Sequence, residues 1–146
     1  METAYSTPFR ILLVDDSRTF LDAARHALAE DARVEVVGSA LSGQEGLELT
    51  AREQPDLVLM DVAMPGMNGM EATRLIKAQP NAPHVVILTS YDLTHYRAAA
   101  KTVGADDYIC KADFDSQLFP LLETLLAARN VSSQVKLSLD CPRRNG

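Results

Sequence analysis

A doubly wound α/β fold with a parallel sheet is predicted by three features of the chain. Short apolar runs recur about every 25 residues, as in β-α units. They begin near Ile11, Val34, Leu57, Val85 and Tyr108. Three runs, "ILLV", "LVLM" and "VVIL", are apolar at every position, which is typical of strands covered on both faces. Between these apolar runs lie residues of the types that commonly begin a helix. The sequence therefore predicts five parallel strands with helices on both faces.

Two of the intervening helices are predicted by their first residues. Ser42 with Glu45, and Asn68 with Glu71, have the spacing of a capping box, in which a side chain at the helix start accepts a hydrogen bond from the backbone three residues on. Each pair therefore marks the beginning of a helix.

The last two helices are predicted by apolar spacing. Between Asp92 and Gly104, apolar residues recur at intervals of three and four, with a capping residue before them and a terminating glycine after them. The segment "DFDSQLFPLLETLLAAR" is helical by its leucines. Pro120 lacks the N–H that a helix interior needs, so this helix either begins near Pro120 or kinks there.

One domain with two short tails accounts for the 146 residues. We expect an N-terminal tail over residues 1–8, a domain over 9–129 and a C-terminal tail over 130–146. The C-terminal tail is polar, with weak alternation of apolar residues. We therefore place it outside the core, either as a disordered segment or as an added edge strand.

Composition and charge exclude several classes of protein. No apolar run is long enough to cross a bilayer, and "METAYSTPFR" lacks the basic and apolar regions of a secretion signal. We therefore expect a cytoplasmic protein with no membrane contact. The net charge of −6 argues against nonspecific binding to nucleic acid.

Polar residues follow four of the five predicted strands. They are Asp15, Asp16, Asp61, Thr89 and Lys111. In an open parallel sheet these strand ends share one edge, where ligands bind. Clustered carboxylates raise each other's pKa, and a hard cation with oxygen ligands relieves this repulsion. The sequence therefore predicts a Mg²⁺ site, with the turn-rich loop after Asp61 holding that carboxylate exposed.

The ordered combination of motifs resembles the receiver domain of two-component response regulators, the CheY-like signalling switches. The matching pieces are "LLVDD", "DLVLMDVAMPGMNG", "VVILTS" and "GADDYICK". They cover residues 9–129, and "CKAD" and "VVGSALSGQEGLELT" are closest to receivers of the NarL/LuxR group. This resemblance implies a flavodoxin-like sheet with strand order 2-1-3-4-5.

The resemblance also implies the chemistry of the site. Asp61 would accept a phosphoryl group from a phosphohistidine, so the protein would be a signalling switch and not an enzyme with turnover. Mg²⁺ would be held by Asp15, Asp16, Asp61 and the backbone carbonyl of Ala63. Lys111 and the Thr89 hydroxyl would bind the phosphoryl oxygens.

Signal output is implied in the same way. Thr89 would move inward on phosphorylation and Tyr108 would turn into the space it leaves, changing the face made by the fourth helix, fifth strand and fifth helix. Ala63 and Tyr91 occupy positions that tune the lifetime of the phosphoryl group, and bulky Tyr91 would shield it from water. The expected partners are a sensor histidine kinase or phosphotransfer protein, and a downstream protein or a second copy of the chain.

Three alternatives remain open from the sequence. One is the receiver part of a NarL/LuxR-type transcription regulator without its output domain. Only 17 residues follow Arg129, so we expect no direct DNA binding by this chain. The second is a phosphoaspartate hydrolase, which needs a second acid where Ala63 stands. The third is a flavin-binding module, whose first loop would carry hydroxyls in place of Asp15 and Asp16.

Overall fold

The structure is a computed structural model and describes residues 7–62, 64, 66–90 and 93–140, with backbone only for 93–96 and 130–140. Strands and helices alternate along it. The strands are β1 (Phe9–Val14), β2 (Val34–Ala40), β3 (Leu57–Asp61), β4 (His84–Thr89) and β5 (Asp107–Cys110). The helices are α1 (Arg18–Leu28), α2 (Gly43–Glu53), α3 (Gly69–Lys77), α4 (Leu93–Thr102) and α5 (Phe114–Asp140).

All five strands form one parallel sheet in the order β2-β1-β3-β4-β5, which confirms the predicted fold class. Ile11 of β1 pairs with Leu57 of β3, and Leu57 pairs with His84 of β4. Every residue of β3 is buried, as expected for a strand covered on both faces. The winding reverses between β1 and β3, so the carboxyl ends of these two strands border the ligand-binding crevice of such folds.

Both predicted caps are present at the helix starts. The Ser42 side chain accepts a hydrogen bond from the backbone N–H of Glu45, and the Asn68 side chain accepts one from that of Glu71. The second hydrogen bond of the predicted capping box at α2 differs from the usual one. The Glu45 carboxylate accepts from the N–H of Leu41, one residue before the cap Ser42. These caps begin α2 and α3 where the sequence predicts.

The fourth helix ends as expected. Gly104 has φ of +91°, a left-handed conformation that costs glycine little, and it follows the last turn of α4. Asp92, the expected cap of this helix, lies outside the described residues. The helix from 93 to 102 agrees with the predicted apolar spacing.

The chain forms two compact units, one ending at Asp113 and one beginning at Phe114. The second unit contains α5, which begins at Phe114 and includes Pro120 in its interior, so a helix start near Pro120 is wrong. The helix continues through residues 130–140, so the interpretation of the tail as an edge strand is also wrong. The backbone there follows the preceding helix rather than the weak alternation of its apolar residues. No described helix is long and apolar enough to span a membrane.

Candidate functional site

Three carboxylates meet at the carboxyl edge of the sheet. Val14 of β1 pairs with Met60 of β3, so the residues that follow them, Asp15 and Asp61, are brought to the same place. One carboxylate oxygen from each of Asp15, Asp16 and Asp61 lies within 4.8 Å of the other two. Asp15 is 0% and Asp61 4% exposed, whereas Asp16 faces solvent. Oxygen ligands gathered in this way suit Mg²⁺.

Asp61 is buried, so the expectation of an exposed carboxylate is wrong. Val62 and Met64, in the loop after β3, are themselves buried, and the N–H of Gly69 donates to the Val62 carbonyl over 3.2 Å. A Cβ at Gly69 would stand 1.9 Å from the Asp61 carbonyl oxygen. The start of α3 therefore packs directly against the backbone at the end of β3.

Lys111 supplies a positive charge between two of these acids. It follows β5 and begins a short 3-10 turn, Lys111–Asp113. Its ammonium lies 2.5 Å from Asp15 Oδ2 and 3.0 Å from Asp61 Oδ1, and its side chain is only 16% exposed. The ion pairs offset the repulsion between Asp15 and Asp61 when no other cation is bound.

Burial and charge shift the pKa values of this cluster. Loss of hydration raises the pKa of Asp61 above its ordinary value, with help from the charges of Asp15 and Asp16 and against the ammonium of Lys111. Burial alone would lower the pKa of Lys111, but its hydrogen bonds to Asp15 and Asp61, with their charges, outweigh burial and raise it. Lys111 therefore stays charged, and Asp61 holds a proton more readily than a solvated carboxylate.

The loop after β1 fixes Asp15 through Ser17, a residue that we did not single out in the sequence. The N–H of Ser17 donates to Asp15 Oδ1 over 2.8 Å, and the Ser17 hydroxyl accepts from the N–H of Phe20 over 3.2 Å. Ser17 thus begins α1 and orients the acid before it. A serine standing just before a helical pattern is a signal from which the cap could have been predicted.

Phe20 is a second residue that sequence reasoning missed. Its ring lies beside Lys111, with the ammonium 4.6 Å from the ring centroid. That distance is within the range of cation–π contacts. Nothing in the spacing of α1 indicates this contact, because it joins residues that are far apart in the sequence.

The two predicted switch residues lie on neighbouring strands. Thr89 ends β4, is fully buried, and follows Leu88, which pairs with Asp61. Tyr108 of β5 is half-buried, and the guanidinium of Arg97 lies over its ring at 4.9 Å from the centroid. Ala63 and Tyr91 lie outside the described residues, and their roles stay predictions.

Comparisons with known proteins agree with this fold. The family model of the response regulator receiver domain matches residues 11–122. Protein PilH of Pseudomonas aeruginosa is 38% identical over 81% of this chain and 98% of its own length. Response regulator MprA of Mycolicibacterium vanbaalenii is 35% identical over 82% of this chain and 51% of its own. The crystal structure of a LuxR-family regulator from Aurantimonas sp. SI85-9A1 has a TM-score of 0.77 at 30% identity, covering 84% of this chain and 87% of that one.

This chain belongs to the response-regulator receiver family, the CheY-like domains of two-component signalling. It spans about half the length of the MprA regulators that it matches and nearly all of PilH. Receiver domains are typically non-enzymatic signalling domains that bind Mg²⁺ at an acidic pocket and interact with histidine kinases or other phosphodonors and with output targets. The family assignment decides against the hydrolase and flavin alternatives.

Proposed function

We propose that this chain is a phosphorylation-dependent signalling switch in which Asp61 accepts the phosphoryl group. The observation that carries this proposal is the convergence of three carboxylates and the Lys111 ammonium at the carboxyl edge of the sheet, in a chain of the receiver family. Three clustered carboxylates with one ammonium beside two of them suit the transfer of an anionic group. We also propose a cytoplasmic location, where histidine kinases present their phosphohistidine.

The transfer begins with a carboxylate oxygen of Asp61 attacking the phosphorus of a phosphohistidine on a sensor histidine kinase or phosphotransfer protein. The P–N bond breaks with its electron pair passing to the imidazole, and Asp61 becomes an acyl phosphate. Lys111 then binds one phosphoryl oxygen, and the Thr89 hydroxyl donates a hydrogen bond to another. The ion pairs of Lys111 place its charge beside the attacking oxygen before the phosphoryl group arrives.

A magnesium ion fits the donor set of this site. Asp15, Asp16 and Asp61, with the carbonyl of Ala63, would hold it, since carboxylate and carbonyl oxygens are its preferred ligands. When bound, it supplies positive charge that offsets the repulsion between the Asp61 carboxylate and the phosphoryl oxygens. The N–H of Ser17 donates to Asp15 Oδ1, the carboxylate oxygen that Lys111 does not contact. Ser17 would therefore hold Asp15 in place for the ion.

The output would be a change of conformation near β4 and β5. The acyl phosphate bears about −1.5 to −2 charges in place of the single charge of the carboxylate, and it draws the Thr89 hydroxyl inward, so that Tyr108 turns toward the vacated space. Because Arg97 lies over the Tyr108 ring, this movement breaks a cation–π contact. The changed surface would bind a downstream protein or a second copy of the chain. A near-complete switch requires a bias of roughly 5.5 kcal/mol.

Phosphorylation by a small phosphodonor tests the proposal. The wild type, Asp61→Asn and Asp22→Asn are incubated with acetyl phosphate and Mg²⁺ and compared by intact mass. Asp22 lies exposed on α1 and serves as the matched control. We expect one phosphoryl group on the wild type and on Asp22→Asn and none on Asp61→Asn. A phosphoryl group on all three proteins, or on none, contradicts the proposal.

The lifetime of the phosphoryl group is proposed to depend on Tyr91. If its side chain shields the acyl phosphate from water, the acyl phosphate of Tyr91→Ala is hydrolysed faster than that of the wild type once the phosphodonor is removed. An unchanged or slower loss of phosphate rejects this role.

A longer transcription regulator is the second candidate. It is favoured by the similarity to a LuxR-family regulator and by the half-length match to MprA. In that case Asp61 performs the same chemistry and a separate output domain binds DNA, while this acidic chain does not. The sequence of the complete gene decides between a stand-alone receiver and this alternative.

A further inference from the structure

The aromatic contact of Lys111 differs in kind from its two ion pairs. Asp15 and Asp61 attract the ammonium through charge. If the proposed function holds, both also bind Mg²⁺ and Asp61 accepts the phosphoryl group. The Phe20 ring attracts it through its π face, 4.6 Å away, and carries no charge to be neutralised. Of the three contacts, this one alone persists unchanged when a cation or a phosphoryl group alters the charge of the acids.

A lysine in such a site needs to be held in place. Its four-carbon side chain has many rotamers, and confining it to one costs conformational entropy. Once Asp15 and Asp61 bind a metal ion, their pull on the ammonium weakens, and the side chain would be free to turn toward solvent. An aromatic ring beside the ammonium keeps it at the sheet edge during that exchange.

The position of Phe20 suits this role better than a core role. The buried residues of α1 are Leu21, Ala24 and Leu28, which form the face toward the core. Phe20 is half-buried and stands beside that face, where α1 begins. Its backbone N–H donates to the Ser17 hydroxyl, the cap that also belongs to the loop holding Asp15. The ring is thus attached to the same rigid loop and helix start as the acid that Lys111 contacts.

We propose that Phe20 is a positioning residue for Lys111, holding the ammonium beside Asp61 so that it is already aligned for the incoming phosphoryl oxygen. This proposal rests on the proposed function of the site. An aliphatic residue at position 20 fills the space without attracting the ammonium. Phosphorylation then slows because part of the Lys111 population points away from the phosphoryl group.

Two measurements on three variants test this role. Phe20→Leu removes the ring, Phe20→Tyr retains it, and Phe119→Leu is the control, since Phe119 is a half-buried phenylalanine on α5. The first measurement is the NMR shift of the Lys111 ε-methylene protons, which a ring face moves upfield. The second is the initial rate of phosphorylation by acetyl phosphate with Mg²⁺.

The expected results separate positioning from packing. Phe20→Leu loses the upfield shift and is phosphorylated about 2- to 5-fold more slowly, the loss of a contact worth about 0.5–1 kcal/mol. Phe20→Tyr and Phe119→Leu keep both the shift and the rate. In a Lys111→Ala background, Phe20→Leu has no further effect on the rate, because the group it positions is gone.

Several outcomes overturn the proposal. A Phe20→Leu rate equal to that of the wild type does so, whether or not the shift changes. A slower rate that Phe20→Tyr does not restore, or that persists in the Lys111→Ala background, shows a packing effect instead. A wild type that takes no phosphate overturns the proposed function and this inference together, whereas a phosphorylated wild type with an equal Phe20→Leu rate overturns only the inference.

Discussion

Asp61 is a buried carboxylate whose ionisation opposes folding in the absence of metal. Burial raises its pKa above that of the unfolded chain. The stability linked to this raised pKa is fully present below the unfolded value, near 3.8, and is lost as the pH rises through the folded value. The ionised Asp61 carboxylate should therefore lower the free energy of unfolding of the metal-free wild type at neutral pH.

We predict that Asp61→Asn stabilises the metal-free protein at pH 7. The neutral amide does not suffer the loss of hydration or the repulsion from Asp15, and we expect a gain on the order of 1 kcal/mol. The gain should shrink as the pH is lowered to about 4, because a wild-type carboxyl with a raised pKa takes up its proton as the pH falls. Urea unfolding in EDTA at the two pH values measures it, with Asp22→Asn as the exposed control. A gain that is larger at the lower pH contradicts the assigned direction of the shift.

Lys111 is the counter-charge of the acid cluster, and its removal should be costly without metal. Lys111→Met leaves Asp15 and Asp61 facing each other, and we expect a loss of about 3–5 kcal/mol, as for breaking a buried ion pair from one side. Lys101→Met on the exposed surface of α4 is the control and should change the free energy of unfolding little. Equal effects of the two substitutions would show that the ion pairs are energetically unimportant.

Gly69 allows the start of α3 to pack against the end of β3, where the candidate phosphoryl acceptor Asp61 lies. A Cβ at Gly69 would meet the Asp61 carbonyl oxygen at 1.9 Å, so Gly69→Ala must displace either the strand end or the helix start. We predict a loss of at least about 2 kcal/mol and slower phosphorylation of Asp61. Gly38→Ala is the matched control, because its Cβ would lie 3.5 Å from the Leu12 side chain in ordinary contact. Circular dichroism melts measure the loss of stability, and intact mass over time measures the phosphorylation of Asp61.

One acid in "GADDY" connects α3 and the start of β4 to the turn before β5, and its role is structural. Asp106 Oδ2 accepts from Lys77 Nζ over 2.7 Å and from the N–H of Val85 over 2.8 Å. We predict that Asp106→Ala costs about 1–3 kcal/mol, because it leaves a part-buried backbone N–H without its acceptor. Asp106→Asn should cost less, since its carbonyl oxygen still accepts that bond. Unfolding midpoints of the two variants give the comparison, and equal losses would assign the effect to the ion pair.

Magnesium should act on the stability of the folded chain, because its ligands come together only in the fold. Asp15 follows β1 and Asp61 ends β3, so the unfolded chain offers no such site, and a bound ion shifts the folding equilibrium by mass action. We predict that Mg²⁺ raises the melting temperature of the wild type and raises that of Lys111→Met more, since the ammonium competes with the ion for both acids. Asp61→Asn should respond least. A larger response of the wild type than of Lys111→Met contradicts this competition.

The order of elements was predictable from local patterns because each strand and helix is determined by nearby residues. Apolar runs placed all five strands within two residues of their observed starts, and side-chain caps placed α2 and α3. The C-terminal segment was not predicted correctly, since Pro120 and the alternating apolar residues after Arg129 suggested a late start and a strand. Both signals were weak against the helical run around them.

Which side chains end the strands could be predicted from the amino-acid sequence, and they form one site because a parallel sheet brings every carboxyl end to one edge. The sequence thereby identified Asp15, Asp16 and Asp61 as one cluster with Lys111 nearby. The burial of these groups and their ion pairs could be read only from the packing of the folded chain. Asp61 is buried, and the salt bridge from Lys111 to Asp15 and the ring of Phe20 beside the ammonium join residues far apart in the chain. Their distances depend on how the elements pack, which no local pattern encodes.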